Sequence, residues 1–406
     1  MNDTSITITC ADCGRTQTIA PLPLGGSAAC GRCDRLLSNR SRMGIEIPLA
    51  CAIGMCILMP PAIFLPLMSS SIKNLVFQES RLVSSVGAIY SEVWFPFAFG
   101  FLFFAFLFPA VRAVLQLVVL ASVRLGRHVP QHGRLFRWNE QLRIFSMPEV
   151  VVVAGIGAYY RAAISARVAI GVGAWCYLAV ALLQFAIDQT LDRRAVWNAI
   201  LPDPSSKPAG TVVSCEVCEM TVSAHGAGHF CPRCGHTFDA HIGRRIAPAI
   251  GAVAAAIPLC LPAFMFSVIV NDRITGVVEH TVMGTVQLLS DYGYAPFGVV
   301  TLLAGVVLPI VELVGMIWLL ASVRFPTSKG LVIRTRVYRV LHSLVRWPMI
   351  IPFLAALAAP IVDFRGLDDI EAGMGATPLF LVIALTMVAL WLFQPRFMWK
   401  TAGAPG

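Results

Sequence analysis

The chain has 406 residues, 57% of them apolar and only 13% charged, with a mean hydropathy of +0.74. A soluble domain carries roughly 25% charged residues, so one water-soluble core is excluded and a polytopic membrane protein is indicated. The net charge of +9 does not argue for a nucleic-acid partner, because the basic residues lie mainly in short loops between apolar runs, where they set topology.

Residues 1–44 are polar and contain Cys10-x2-Cys13 and Cys30-x2-Cys33, separated by sixteen residues. Gly14 and Gly31 allow a tight turn at each pair, and four thiolates from two such turns can surround one Zn2+ tetrahedrally. The segment has few large apolar residues, so metal binding would supply its folding energy. No secretory signal is read before the first apolar run, which places the amino terminus in the cytosol.

A first bundle is expected over 45–197, with spans at about 45–68, 94–122, 147–163 and 168–188. Pro60, Pro61 and Pro66 should break the first span near its far end. The loop after the second span carries five arginines against Glu140 alone. Residues 198–210 are rich in proline and serine and read as a linker.

The pattern then starts again. Residues 211–243 hold Cys215-x2-Cys218 and Cys231-x2-Cys234, a second ribbon for a second Zn2+. The nearby His225, His229, His236 and His241 are surplus once four cysteines fill the shell. A second bundle over 244–400 has spans at about 246–270, 296–322, 348–363 and 375–394. Leu120-Ala121-Ser122-Val123-Arg124 recurs as Leu320-Ala321-Ser322-Val323-Arg324 at a spacing of 200, and Arg134, Arg137, Arg194 and Trp197 recur at 202. A fixed long period means two copies of one unit. The expected fold is therefore an all-α polytopic membrane protein of two tandem modules, each a small cytosolic zinc ribbon followed by a four-helix bundle, eight spans in all. The loop at 323–347 is strongly basic and, like its counterpart in the first bundle, belongs in the cytosol with both termini and both ribbons. An even number of spans per unit makes the repeats parallel.

Charges within spans are costly and point to function. Arg112 follows Pro109 by three residues, and Glu312 follows Pro309 by three at the equivalent place. Glu149 opens the third span and could pair with Arg112; Glu312 could face a wet cavity, take up a proton, or pair with Arg112. Cys51, Cys56, Cys176 and Cys260, inside apolar runs, read as small hydrophobes. No nucleotide-binding loop, zinc-protease motif or nucleophile elbow is present, so neither a bound nucleotide nor an enzyme is expected.

The four CxxC pairs, Pro109-x2-Arg112 and Pro309-x2-Glu312, Ser146-Met147-Pro148-Glu149 and Trp347-Pro348-Met349, and the closing Arg194-x2-Trp197 and Arg396-x2-Trp399 together resemble the paraquat-inducible protein A family. The resemblance implies a bacterial inner-membrane protein that loads or unloads lipid for a periplasmic MCE-domain tunnel protein. It also implies that Thr386 is a polar position of the second bundle. The family pattern of a Lys after the proline and an Asp in the third span is replaced here by Glu312 and Ile351. The rival expectation is a membrane thiol-disulfide oxidoreductase that cycles its CxxC pairs. A metal sensor or transporter would need clustered ligands within the spans, and none is read there.

Overall fold

The computed structural model describes residues 6–40, 43–72, 76–84, 95–127, 131–165, 167–202, 212–223, 230–237, 242–273, 276–291, 293, 295–362 and 368–403. Most of the 198–210 linker, His225, His229 and His241 lie outside them.

Each ribbon is a pair of cysteine turns held by short antiparallel strands. In the first, β1 (Ile6–Thr9) and β2 (Thr16–Ile19) flank one turn, and β3 (Ser27–Ala29) and β4 (Leu36–Asn39) flank the other.

The first module continues with α1 (Glu46–Phe64), a hairpin of β5 (Met68–Ile72) and β6 (Val76–Ser80), and a long helix, α2. That helix runs as Phe95–Gly100, a π-helical stretch Phe101–Leu107 and Phe108–Arg124. Pro109 lacks an N–H for the regular ladder, and the local widening accommodates it. The buried Tyr177 hydroxyl donates to the carbonyl of Ala105 within this stretch, at 2.6 Å. There follow α3 (His132–Leu142), α4 (Pro148–Ser165), β7 (Arg167–Ile170), α5 (Val172–Thr190) and α6 (Arg193–Ile200).

The second module repeats this order. The ribbon strands β8 (Val212–Ser214) and β9 (Thr221–Ser223) precede α7 (Ile242–Met265), then β10 (Ile269–Arg273) and β11 (Gly276–His280). A short α8 (Val282–Asp291) leads to α9, again with a central π stretch: Ala295–Leu302, Leu303–Val307 and Leu308–Arg324. The module ends with α10 (Leu331–Leu344), α11 (Ile350–Val362), β12 (Asp368–Ala372), α12 (Ala376–Leu392) and α13 (Arg396–Thr401).

Among the described residues six helices are long and apolar enough to cross a membrane, and Pro148–Tyr160 and Ala376–Leu392 are shorter apolar ones. The sixth runs from basic α10 through one tight turn at Trp347–Met349 into α11, so the expected basic loop is largely helical.

The all-α expectation needs correction. β7 pairs with β5 to make a three-stranded sheet, β6-β5-β7, and β12 pairs with β10 to make its counterpart, β11-β10-β12. These partners lie far apart in sequence, so local periodicity carries no trace of the pairing. Within modules, α1 packs on α5 and α7 on α12. Between modules, α4 packs on α11 where Gly155 and Gly157 face Leu357 and Leu354. Small residues let apolar helices approach closely.

Candidate metal centres and intramembrane site

All eight paired cysteines are buried and reduced. Cys10, Cys13, Cys30 and Cys33 form one cluster and Cys215, Cys218, Cys231 and Cys234 another, with the sulfurs of each within 4.8 Å of one another. The shortest approaches are 3.5 Å for Cys10–Cys33, Cys215–Cys234 and Cys218–Cys231, and 3.6 Å for Cys13–Cys30. A metal with thiolate bonds of about 2.3 Å in a tetrahedron needs sulfurs about 3.8 Å apart, whereas a disulfide bond is only about 2.05 Å long. The donor set therefore fits one metal ion per cluster.

The same backbone turn builds all four corners. The N–H of the residue after each second cysteine donates to the carbonyl of the first, for Gly14, Asp34, Glu219 and Gly235 at 2.8–3.0 Å. Those residues have φ of 76°, 58°, 58° and 65°. The left-handed residue is thus Gly14, as expected, or its equivalent, and Gly31, the other expected turn residue, is not one of them.

Each ribbon docks on the other ribbon's module. In the first ribbon, Asp12 bonds both Arg35 and Arg339, and Arg339 also donates to the Cys33 carbonyl at 2.7 Å. Asp34 bonds Arg336, and the Arg32 guanidinium lies over Trp399 at 4.3 Å. Trp399 is held in turn by its indole N–H donating to Thr335 at 3.1 Å. The three anchoring residues, Arg336, Arg339 and Trp399, belong to α10 and α13 of the second module. The second ribbon packs on Val119, Leu120, Phe136, Val196 and Trp197 of the first module. A side chain at Gly133 on α3 would overlap the Arg233 carbonyl, so glycine is required there. The two ribbons also touch, through Arg35 and Glu219 at 3.5 Å. Burial pushes the Glu219 carboxyl above its ordinary range, against the pull of Arg35 and Arg194.

The intramembrane charges are arranged differently from expectation. Arg112, on α2 and 1% exposed, donates to Asp188 on α5. Glu149, at the start of α4, bonds Arg346 of the second module. The expected Arg112–Glu149 pair is therefore not formed. Each helix turns its charge toward a different neighbour, which spacing along the chain cannot resolve. An Arg112–Glu312 pair is not formed either. Glu312 is fully buried on α9, and neither of its oxygens has a hydrogen-bond partner among the described residues. Thr386 is also fully buried, on α12, and its hydroxyl donates within its own helix to Val382 and Ile383, both at 2.9 Å.

Sequence reasoning did not single out Asp188, nor Gln116 and Gln184, whose buried amides have no hydrogen-bond partner among the described residues. A signal existed: Gln184 and Thr386 stand 202 residues apart, the spacing of the repeat.

Fold and site together define a multi-pass membrane protein of two tandem repeats, with two four-cysteine centres and a buried carboxyl, Glu312, that has no hydrogen-bond partner among the described residues. The sequence profile of the paraquat-inducible protein A family matches residues 45–200 and 247–403, and the chain belongs to that family. It is 26% identical to the intermembrane transport protein PqiA of Escherichia coli (strain K12), over 97% of this chain and 95% of that protein. It is 22% identical to a probable intermembrane transport protein of Haemophilus influenzae, over 96% of this chain and 95% of that protein. It is 23% identical to the lipophilic envelope-spanning tunnel protein A of Escherichia coli (strain K12), over 96% of this chain and 90% of that protein. No solved structure matches the chain.

Proposed function

We propose that the protein is an inner-membrane subunit of an envelope lipid-transport system, handing lipid to or from a periplasmic MCE-domain tunnel protein. The observation that carries this is the similarity over nearly the whole chain, ribbons included, to proteins named for intermembrane transport and for an envelope-spanning tunnel. In this reading the protein is not an enzyme, Zn2+ fills both four-cysteine centres, and α4 and α12 complete eight spans. The ribbons and both termini face the cytosol, and the two small sheets face the partner.

Glu312 is the residue assigned to transport, with Thr386 on the helix packed beside it. An unpartnered carboxyl in a membrane helix is retained against its burial cost, and such groups mark substrate or proton paths. Arg112 and Glu149 act as braces, within the first module and between modules respectively. The thiol-redox alternative requires thiols that meet a partner, whereas these eight sulfurs are buried and grouped in fours.

The test is photocrosslinking in living cells with photoreactive residues placed around Glu312 and Thr386. Recovery of crosslinked phospholipid is expected. Its absence, with normal membrane insertion, would overturn the lipid reading.

A further inference from the structure

We propose that a phospholipid acyl chain passes between the two halves of the membrane along the seam between the modules, through a gate formed by Phe97 and Phe380. This rests on the lipid-transport reading and adds the path.

Two apolar cavities lie on the seam. The first is an open groove between α2 and α12, walled by Phe103, Phe104, Phe108, Phe145 and Trp391. It runs from Phe99 toward Trp138 and Gln141 on α3, on the ribbon side. Its walls are the candidate span α2 and the shorter apolar helix α12, which also crosses the bilayer in the reading above; the medium at its mouth is then lipid, and an acyl chain matches walls almost free of polar atoms. Trp138 and Gln141 lie at the end where a headgroup would meet water, the level that amphipathic side chains favour.

The second cavity lies on the sheet side, between α4 of the first module and α8, α9 and α11 of the second. Val153 and Ile156 face Val300, Ile351 and Leu354 across it. The rings of Tyr160 and Phe297 meet across the modules beside it, at 4.9 Å.

One layer of rings divides the two cavities. Phe97 lines the sheet-side cavity and Phe380 lines the groove, and their centroids are 5.4 Å apart. Phe101 and Phe353 continue the wall at 5.7 Å. The Phe380 ring occupies the space left by Gly100, where any side chain would overlap it. The π-helical stretch begins at the next residue, so the ring rests on the least regular part of α2. In this proposal the Phe380 side chain swings aside to join groove and cavity.

The experiment uses the full chain purified in detergent with its retained lipid and supplied with radiolabelled phospholipid. Photoreactive residues replace Leu115 in the groove, Leu354 in the sheet-side cavity, Thr386 beside Glu312, and Ile57 on an exposed face of α1 as background. Labelling above the Ile57 level is expected at Leu115 and Leu354. Phe380→Leu should raise labelling at Leu354 several-fold and Phe380→Trp should lower it, with Leu115 unchanged in both. Opposite effects on one readout separate gating from misfolding. Labelling at Leu354 that neither variant alters would overturn the gate. Labelling at Thr386 but not along the seam would overturn the route and leave lipid handling standing. No labelling at any of the three positions would overturn both.

Discussion

Pro109 and Pro309 each precede a charged residue by three positions, and the two modules treat that charge in opposite ways. In the first, Arg112 is neutralised by Asp188 one helix away. In the second, Glu312 has no such partner among the described residues, and the position 202 residues after Asp188 is Leu390. Removing one member of a buried pair leaves an uncompensated charge, at a cost of about 3–5 kcal/mol. Asp188→Asn should therefore lower the thermal stability of the detergent-purified protein, and adding Arg112→Gln should recover part of the loss. A double variant no better than the single one would mean that the contact is not a stabilising pair. Glu312→Gln breaks no pair, so insertion and melting should be unchanged while lipid transport is lost. A fall in stability that an Arg112 change restores would show instead that the two residues are coupled.

At the scale of elements, the ribbons act as clips. Their strands are three or four residues long, too short to fold by packing alone, so a bound metal would supply most of the stability. Replacing Cys30 and Cys33 with serine should halve the metal content, measured by elemental analysis, and leave the other ribbon loaded. Unchanged metal content would remove the assignment. Asp12 is 6% exposed and joins two arginines, Arg35 on its own ribbon and Arg339 on α10. Asp12→Asn should keep both metals yet loosen the first ribbon from the second module, seen as faster proteolysis between the ribbon and α1. Equal cleavage rates would place the anchoring elsewhere, on Asp34 and Trp399.

At the scale of the molecule, the ribbons exchange modules, α4 and α11 pack together, and Glu149 bonds Arg346, so the two repeats are tied at three levels. Ribbons and basic helices occupy one end and the two small sheets the other. A cysteine at Met283, half-exposed on the sheet side, should react with a membrane-impermeant thiol reagent added to intact cells. A cysteine at Ser328, exposed on the ribbon side, should not. The reverse pattern would invert the orientation.

Composition, the 200-residue period and the CxxC spacings determined by themselves that the chain is a duplicated membrane protein with two four-cysteine centres. Each of these is a local or periodic property: apolar length decides what can cross a bilayer, and two residues between cysteines decide which thiols share a turn. The burial of Glu312 was legible for the same reason, since a carboxyl in the middle of an apolar run has little else around it. The partners were not legible. Arg336 and Arg339 read as topology signals because every loop arginine looks alike until a ribbon far away in the sequence is laid upon it. Only the tertiary structure decided that Arg112 meets Asp188 rather than Glu149, and that β7 and β12 complete sheets. It alone brought Phe97 and Phe380 together at the seam. Each of these contacts joins segments from different helices or modules, and helix rotation and packing, which no spacing along one chain records, choose among the candidates.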